Sequence, residues 1–234
     1  MPNHTISNRL MCNLYSYTKS PDETRRLLGV MIDRTGNQPP MPAVFPDQMA
    51  PVVRAGHQGM REMLAMRWGL PGPASAGPRP VTNIRNTDSA WWRPWLEPRW
   101  RCLVPANAFC EWTDARPKVP HWFALGADRP LFAFAGLWRP WSGERGKEQG
   151  EHLLFGFLTT EPNETVRPVH GKAMPVMLTT AEEWDAWLRA PVHEALALQR
   201  PLAAARLHIV AQGELEDPPT GTALARREQL LLPI

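Results

Sequence analysis

Short apolar or alternating runs, each bounded by turn residues, recur at Cys12–Tyr17, Ala50–Arg54, Met63–Trp68, Cys102–Ala106, His121–Leu125, Leu131–Leu137, Leu153–Thr159, Val176–Leu178 and Leu207–Val210. Their brevity and their flanking turn residues predict strands. Helical signals are fewer. Pro21-Asp22-Glu23 opens a segment Thr24–Val30, Thr180 to Glu183 reads as a capping box leading into Trp184–Arg189, and a third helix is expected within Val192–Arg200. Many strands, scattered short helices and no regular strand–helix alternation predict an α+β fold with a curved, barrel-like, mainly antiparallel sheet core. Two joints stand out, a Pro/Gly/Ala/Ser loop from Pro71 to Pro80 and a polar, charged loop from Ser142 to Gly150. Neither is long enough to divide the chain, so residues 12–234 are expected to form a single domain.

Composition sharpens this picture. The 234 residues include 26 prolines and 16 glycines, which favour short elements over long helices. No uninterrupted apolar stretch reaches membrane length, so no spanning helix is expected. The net charge of +3 is compatible with an anionic partner without demanding one. Three cysteines, Cys12, Cys102 and Cys110, form no CxxC pair, which argues against a disulfide framework or a cysteine-rich zinc site and points to a reducing cytoplasm. The leading MPNHTISNRL lacks the apolar core of a secretion signal and ends just before Met11. Residues 1–11 are therefore expected to be a leader or a misassigned start, absent from the active protein.

Four places could carry chemistry. If Met11 is removed, Cys12 becomes the amino terminus and presents a thiol and an α-amine on adjacent carbons. An α-amine of pKa near 7.8 is about 14% neutral at pH 7, against about 0.04% for a lysine amine near 10.4. Such an amine can attack an aldehyde, and the thiol can then close a five-membered thiazolidine. The same cysteine could instead be a small buried hydrophobe at a strand start. In the run Thr82-Asn83-Ile84-Arg85-Asn86, strand alternation would place Asn83 and Arg85 on one face, suited to a sugar-phosphate ligand, although a solvated turn is equally consistent. Glu111, between Cys110 and Trp112 after an apolar run, stands where desolvation would raise a carboxyl pKa toward acid/base use; a structural, ion-paired Glu is the plainer alternative. His170 and Lys172, on the glycine-containing turn His170-Gly171-Lys172, add a group that exchanges protons near neutrality and a positive charge, though a lone His is more often structural. Trp91, Trp92, Trp95 and Trp100 lie among arginines, a mixture that single-stranded nucleic acids use. Most of these tryptophans are expected in the core, with one or two left to line a groove.

The order and wording of these runs resemble the SRAP family, the SOS response-associated peptidase or abasic-site-processing proteins. The resemblance runs from Met11 to about Leu188, through MCNLYS, RWGL at Arg67–Leu70, NIRN at Asn83–Asn86, RCLVPANAFCEW at Arg101–Trp112 and TTEPNETVRPVHGKAMPVML at Thr159–Leu178. It implies a curved, barrel-like fold that binds single-stranded DNA and captures abasic sites through an N-terminal cysteine, with possible autoproteolytic exposure of that cysteine and lyase-type chemistry. By the matching motifs, Cys12, Asn83, Glu111 and His170 would be catalytic, Arg85, Lys172 and Trp68 would contact DNA, and neither metal nor cofactor would be needed. It further implies a monomeric, cytoplasmic protein involved in DNA repair. The chain departs from the family pattern in three places: the turn after His170 is one residue longer and carries Lys172 in place of arginine, Ala43 stands where asparagine is usual, and the acidic residue after the Asn-x-Arg motif is displaced to Asp88. Two other classes remain open on sequence, a Cys/His peptidase acting in trans and a noncovalent single-stranded nucleic-acid-binding module.

Overall fold

The computed structural model describes residues 13–73, 77, 79–145 and 148–220. The leader, Cys12 and part of the Pro71 to Pro80 loop lie outside these. In chain order the elements are β1 (Tyr15–Tyr17), α1 (Pro21–Leu28), β2 (Val30–Asp33), β3 (Met41–Val44), β4 (Met49–Ala55), β5 (Arg61–Trp68), β6 (Asn83–Ile84), β7 (Arg101–Ala106) and β8 (Ala108–Trp112). There follow β9 (Pro120–Ala124), β10 (Phe132–Arg145), β11 (Glu148–Thr160), β12 (Met174–Pro175), β13 (Met177–Leu178), α2 (Ala181–Arg189), α3 (Val192–Leu196) and β14 (His208–Gln212). The fold is α+β and dominated by sheet, as the turn-bounded runs predict.

Strands β11, β10, β7, β4 and β5 pair in that order, and β5 returns to β11 in parallel through Leu154 opposite Arg67 and Phe155 opposite Trp68. This closes a barrel and removes the exposed edges an open sheet would carry. A second, antiparallel sheet in the order β14, β9, β8, β1, β3 packs against it. Tyr15 of β1 joins the two, its ring edge-on to Trp68 at 5.1 Å and to Phe134 at 5.7 Å. Phe157 stacks on Phe134 at 4.5 Å and on Trp68 at 5.2 Å, so the core is an aromatic cluster. Each such pair contributes about 0.5–1.5 kcal/mol beyond area burial.

The helices are short, and α1 and α2 are well capped. In α1 the Ser20 hydroxyl accepts from the Glu23 N–H at 3.2 Å, Pro21 occupies the first turn and Gly29, at φ +60°, ends the helix in the left-handed region. In α2 the Thr180 hydroxyl accepts from the Glu183 N–H at 3.3 Å, while the Glu183 carboxylate accepts from the Thr179 N–H at 2.7 Å. Trp187 on its inner face donates to the Cys102 carbonyl at 2.9 Å. At the other end, the buried Arg101 guanidinium donates to the Trp187 carbonyl at 2.7 Å and the Ala190 carbonyl at 2.5 Å, satisfying helix-end acceptors with a cation. Burial lowers the Arg101 pKa to about 10, which leaves it charged at neutral pH. Arg101 thus clamps α2 onto the start of β7. No helix among the described residues is long and apolar enough to cross a membrane.

One expectation is corrected. The run from Ser142 to Gly150, expected as a loop, supplies the outer arms of the β10–β11 hairpin, whose register continues from Gly136 opposite Phe157 to Arg145 opposite Glu148. The inner half of β10 is buried on both faces, whereas from Arg139 outward burial alternates weakly. One face of this ribbon is exposed and the other, with Arg139, Trp141, Gly143 and Arg145, is covered only in part and mostly not by apolar residues, so its sequence reads as a loop.

Candidate functional site

β11 organises the site. β10 holds one of its edges, and the other is shared by three segments laid end to end: β5 at Leu154 and Phe155, β6 at Phe157 and Leu158, and β12 at Thr159 and Thr160. Asn83 begins β6, and β12 begins four residues after His170, so two of the sequence motifs become neighbours along this edge. Gly156 makes the approach possible, because a Cβ there would sit 3.2 Å from the carbonyl oxygens of Val81 and Thr82 and from the Leu70 side chain.

A second connection comes from the other sheet. β1 pairs antiparallel with β8, Tyr15 opposite Phe109, and the Cys110 N–H extends the ladder to the Leu14 carbonyl at 2.9 Å. This pairing carries the chain before Leu14 toward the end of β8 that holds Glu111. Asn13 then meets the β6 motif: the Thr82 hydroxyl donates to Asn13 Oδ1 at 3.2 Å and accepts from Asn83 Nδ2 at 2.9 Å. The residue bonded to Cys12 is therefore joined through Thr82 to Asn83. Asn83 and Glu111 are both buried, Glu111 at 2% exposure.

His170 docks beyond β8. Its Nδ1 lies 3.4 Å from Asp114 Oδ1, Asp114 Oδ2 accepts from the Gly171 N–H at 3.2 Å, and the Asp114 N–H donates to the Val169 carbonyl at 3.1 Å. The imidazole is 5% exposed, and its buried Nε2 has no hydrogen-bond partner among the described residues. Burial pushes the His170 pKa below its usual value, Lys172 and Lys118 push in the same direction, and Asp114 opposes them. The Asp114 carboxyl is itself held below the usual range, chiefly by the Gly171 N–H, against a smaller opposing effect of burial and with help from His170 and Lys172.

The remaining sequence candidates lie outside this cluster. Arg85 sits at the surface just past β6, 3.4 Å from Glu161, and Lys172 is exposed. Trp68, expected at the DNA, is fully buried: it stacks in the aromatic core and donates from Nε1 to the Thr82 carbonyl at 3.3 Å. With no face exposed, its ring cannot stack on a base; its contact with the site is support of residue 82. Of the other tryptophans, Trp92 and Trp95 are buried and Trp91 is exposed, while the Arg139 guanidinium lies over Trp95 at 4.6 Å and Trp100 at 4.3 Å. Cys102 and Cys110 are buried, and burial pushes the Cys110 thiol up to about 12, with the Glu111 charge adding to the rise. Neither offers a thiolate at neutral pH. Thr82 and Asp114 are the contacts that sequence reasoning assigned no role. Nothing in the local pattern marks them, because their partners are 69 and 56 residues away in the chain.

The comparisons with known proteins bear on this geometry. A family model described as SOS response associated peptidase (SRAP) matches residues 11–212. The abasic site processing protein YoaM of Bacillus subtilis (strain 168) is 34% identical over 134 residues, 53% of this chain and 55% of that protein. YoqW of the same organism, also called an abasic site processing protein, is 38% identical over 90 residues, 38% of each chain. The matched regions thus span about half or less of these curated relatives. A solved structure from Bordetella bronchiseptica superposes with a TM-score of 0.68 at 23% identity, covering 86% of this chain and 98% of that one. Another, from Bacteroides thetaiotaomicron, gives 0.68 at 20% identity, covering 89% and 97%. These two establish the likeness of the fold, and the family match, which takes in every motif around β11 and β8, shows that the chain belongs to the SRAP family.

Proposed function

We propose that the protein captures abasic sites in single-stranded DNA by a covalent bond to Cys12 as its amino-terminal residue. The observation that carries the reading is the hydrogen-bonded path from Asn13 through Thr82 to Asn83, which ties the residue next to Cys12 to a buried amide while β8 presents Glu111 close by. The relatives' names, abasic site processing proteins, supply the substrate class.

The chemistry proceeds in two bond-forming steps. Opening of the cyclic hemiacetal breaks the C1′–O4′ bond: His170 accepts the proton of the C1′ hydroxyl, the C1′ oxygen becomes the aldehyde carbonyl, and O4′ takes up a proton to become a hydroxyl. The Cys12 amine adds to the aldehyde carbon and water leaves, giving an imine. The thiol sulfur then adds to the same carbon, its proton passing to nitrogen, and a thiazolidine closes. Glu111 moves protons between amine, leaving water and thiol, and Asn83 holds the adduct through its amide. Arg85 and Lys172 contact backbone phosphates.

The mechanism requires a free Cys12 amine, since a peptide bond on that nitrogen makes it an inert amide. The test compares a form beginning at Cys12, with and without Glu111→Ala, with one that keeps residues 1–11 and carries Glu111→Ala to block self-cleavage, all confirmed by mass. On a denaturing gel with abasic single-stranded DNA, the short form should give a shifted band, its Glu111→Ala variant the same band more slowly, and the long form none. Cys12→Ala in the short form should abolish it, and Cys12→Ser should leave at most a weaker, reversible imine. An undiminished band from the alanine variant, or equal trapping by the uncleaved long form, overturns the mechanism. A second reading, a Cys/His peptidase, is favoured by the Asp114–His170 contact, which gives the histidine the acidic partner such enzymes use. Peptide-bond cleavage without a DNA band would select it.

A further inference from the structure

We propose that Asp114 is the positioning residue for His170: its carboxylate accepts a hydrogen bond from the Nδ1–H and so fixes the imidazole in the tautomer whose Nε2 is bare. The inference deepens the proposed function and rests on its assignment of proton transfer to His170.

The geometry is tight on both sides of the histidine. Asp114 is bound to residue 169 through its own N–H and to residue 171 through Oδ2, which leaves Oδ1 for the ring of the residue between them, 3.4 Å from Nδ1. The His170 N–H donates to the Val166 carbonyl at 2.9 Å, so the backbone carrying the ring is held as well. A neutral imidazole carries one N–H. Placed at Nδ1 it meets a carboxylate oxygen; placed at Nε2 it would leave two lone pairs opposed across 3.4 Å. The buried Nε2, without a partner among the described residues, is then a bare hydrogen-bond acceptor on the turn that leads into β12. Such a nitrogen is suited to take the hemiacetal proton that opens the sugar.

Three charged groups set the titration. Asp114, after β8, favours the protonated ring, whereas Lys118 from the same loop and Lys172 from the histidine's own turn disfavour it, along with burial. Removing Asp114 must therefore lower the His170 midpoint further below its ordinary value near 6.5, and removing Lys172 must raise it. The acid limb of the capture rate should follow each shift. Stability follows the same sign: a depressed histidine pKa contributes stability above the unfolded value near 6.5 that is lost as pH falls through the folded one.

The test is ring-nitrogen NMR of protein labelled with ¹⁵N-histidine, titrated with pH, alongside capture rates of the form beginning at Cys12. The wild-type chain should show His170 with Nδ1 protonated and Nε2 bare. Asp114→Ala should mix the tautomers, lower the midpoint and slow capture by about tenfold to a hundredfold; Lys172→Gln should move the midpoint the other way. If Asp114→Ala does not fold, Asp114→Asn, which keeps the shape but not the charge, must show the same downward shift. A wild-type ring protonated at Nε2, or a midpoint and tautomer unchanged on losing the Asp114 charge, overturns the proposal. The NMR arm needs no DNA. A wild-type chain that never captures abasic DNA overturns the site reading, while the spectra still decide what Asp114 does to His170.

Discussion

Glu111 shows how a single side chain in this chain separates chemistry from architecture. It sits at 2% exposure near the end of β8, opposite His121 of β9, where burying a carboxyl demands hydrogen-bond partners or a function. Its neighbour Cys110 is as deeply buried, yet burial raises that thiol out of reach of neutral-pH chemistry, so one strand carries a group that could transfer protons beside one that is inert. Replacing Glu111 with glutamine keeps size and hydrogen-bonding capacity and removes proton transfer. Capture by the form beginning at Cys12 should then slow by about 10² to 10⁴, with the thermal melt close to wild type. A variant that melts far earlier while its folded fraction captures at the normal rate would make Glu111 structural. At this scale the sequence was informative where residue type carries the argument, as with Glu111 between two apolar neighbours. It misled where exposure decides: Trp68 in its RWGL setting is compositionally identical whether it faces a base or, as here, packs against Tyr15, Phe155 and Phe157.

At the scale of elements, strands with one firmly buried face were legible and those without one were not. β4, β5, β7 and β9 match their predicted runs to within one or two residues. β2 and β3 lie at sheet ends with mostly half-buried positions, and β3 contains Pro42, which an end strand tolerates and a central one would not. The run RCLVPANAFCEW reads as one apolar strand followed by a glutamate, but it forms two strands in different sheets. The switch is Asn107, fully buried, whose side chain accepts from the Thr18 N–H at 2.8 Å and donates to the Arg129 carbonyl at 2.9 Å. Those partners are distant in sequence, so the break between β7 and β8 has no local signal. β6 is two residues long and exists because β11 accepts it along Gly156. Gly156→Ala should therefore act on function before stability: a Cβ at 3.2 Å from two carbonyl oxygens forces residues 81–83 outward by a few tenths of an ångström. Displacements of about 1 Å can cost 10²-fold in rate, so a loss of up to about tenfold in capture is expected while the aromatic core keeps the melt nearly unchanged. Capture rate and melting temperature measured on the same preparation would show it, and a large stability loss with an unaltered rate would place the role of Gly156 in the barrel alone.

Across the whole molecule, closure of the barrel through the parallel β5–β11 seam gives a rigid frame, and the candidate site lies where that seam continues into β6 and β12. The charge that could draw in a polyanion is modest, +3 overall, and Arg85 is partly neutralised by Glu161 at 3.4 Å. Exposed pairs of this kind contribute about 0–1 kcal/mol to stability, so the pair can open readily for a phosphate. Affinity for an intact single strand should then fall with salt, log K declining by about 0.7 per phosphate contact. Arg85→Ala and Lys172→Ala should each flatten that slope by about 0.7, whereas Glu161→Gln should strengthen binding by freeing Arg85 from its partner. Duplex DNA should bind less well, because the Arg85 and Lys172 contacts leave reading of the damage to unpaired nucleotides that can enter the site. Fluorescence anisotropy over a salt series with the four proteins, wild type and three variants, measures all of this. Slopes that ignore both substitutions, or a preference for intact duplex, would move the phosphate track away from the β6 and His170 turns and onto another face of the barrel.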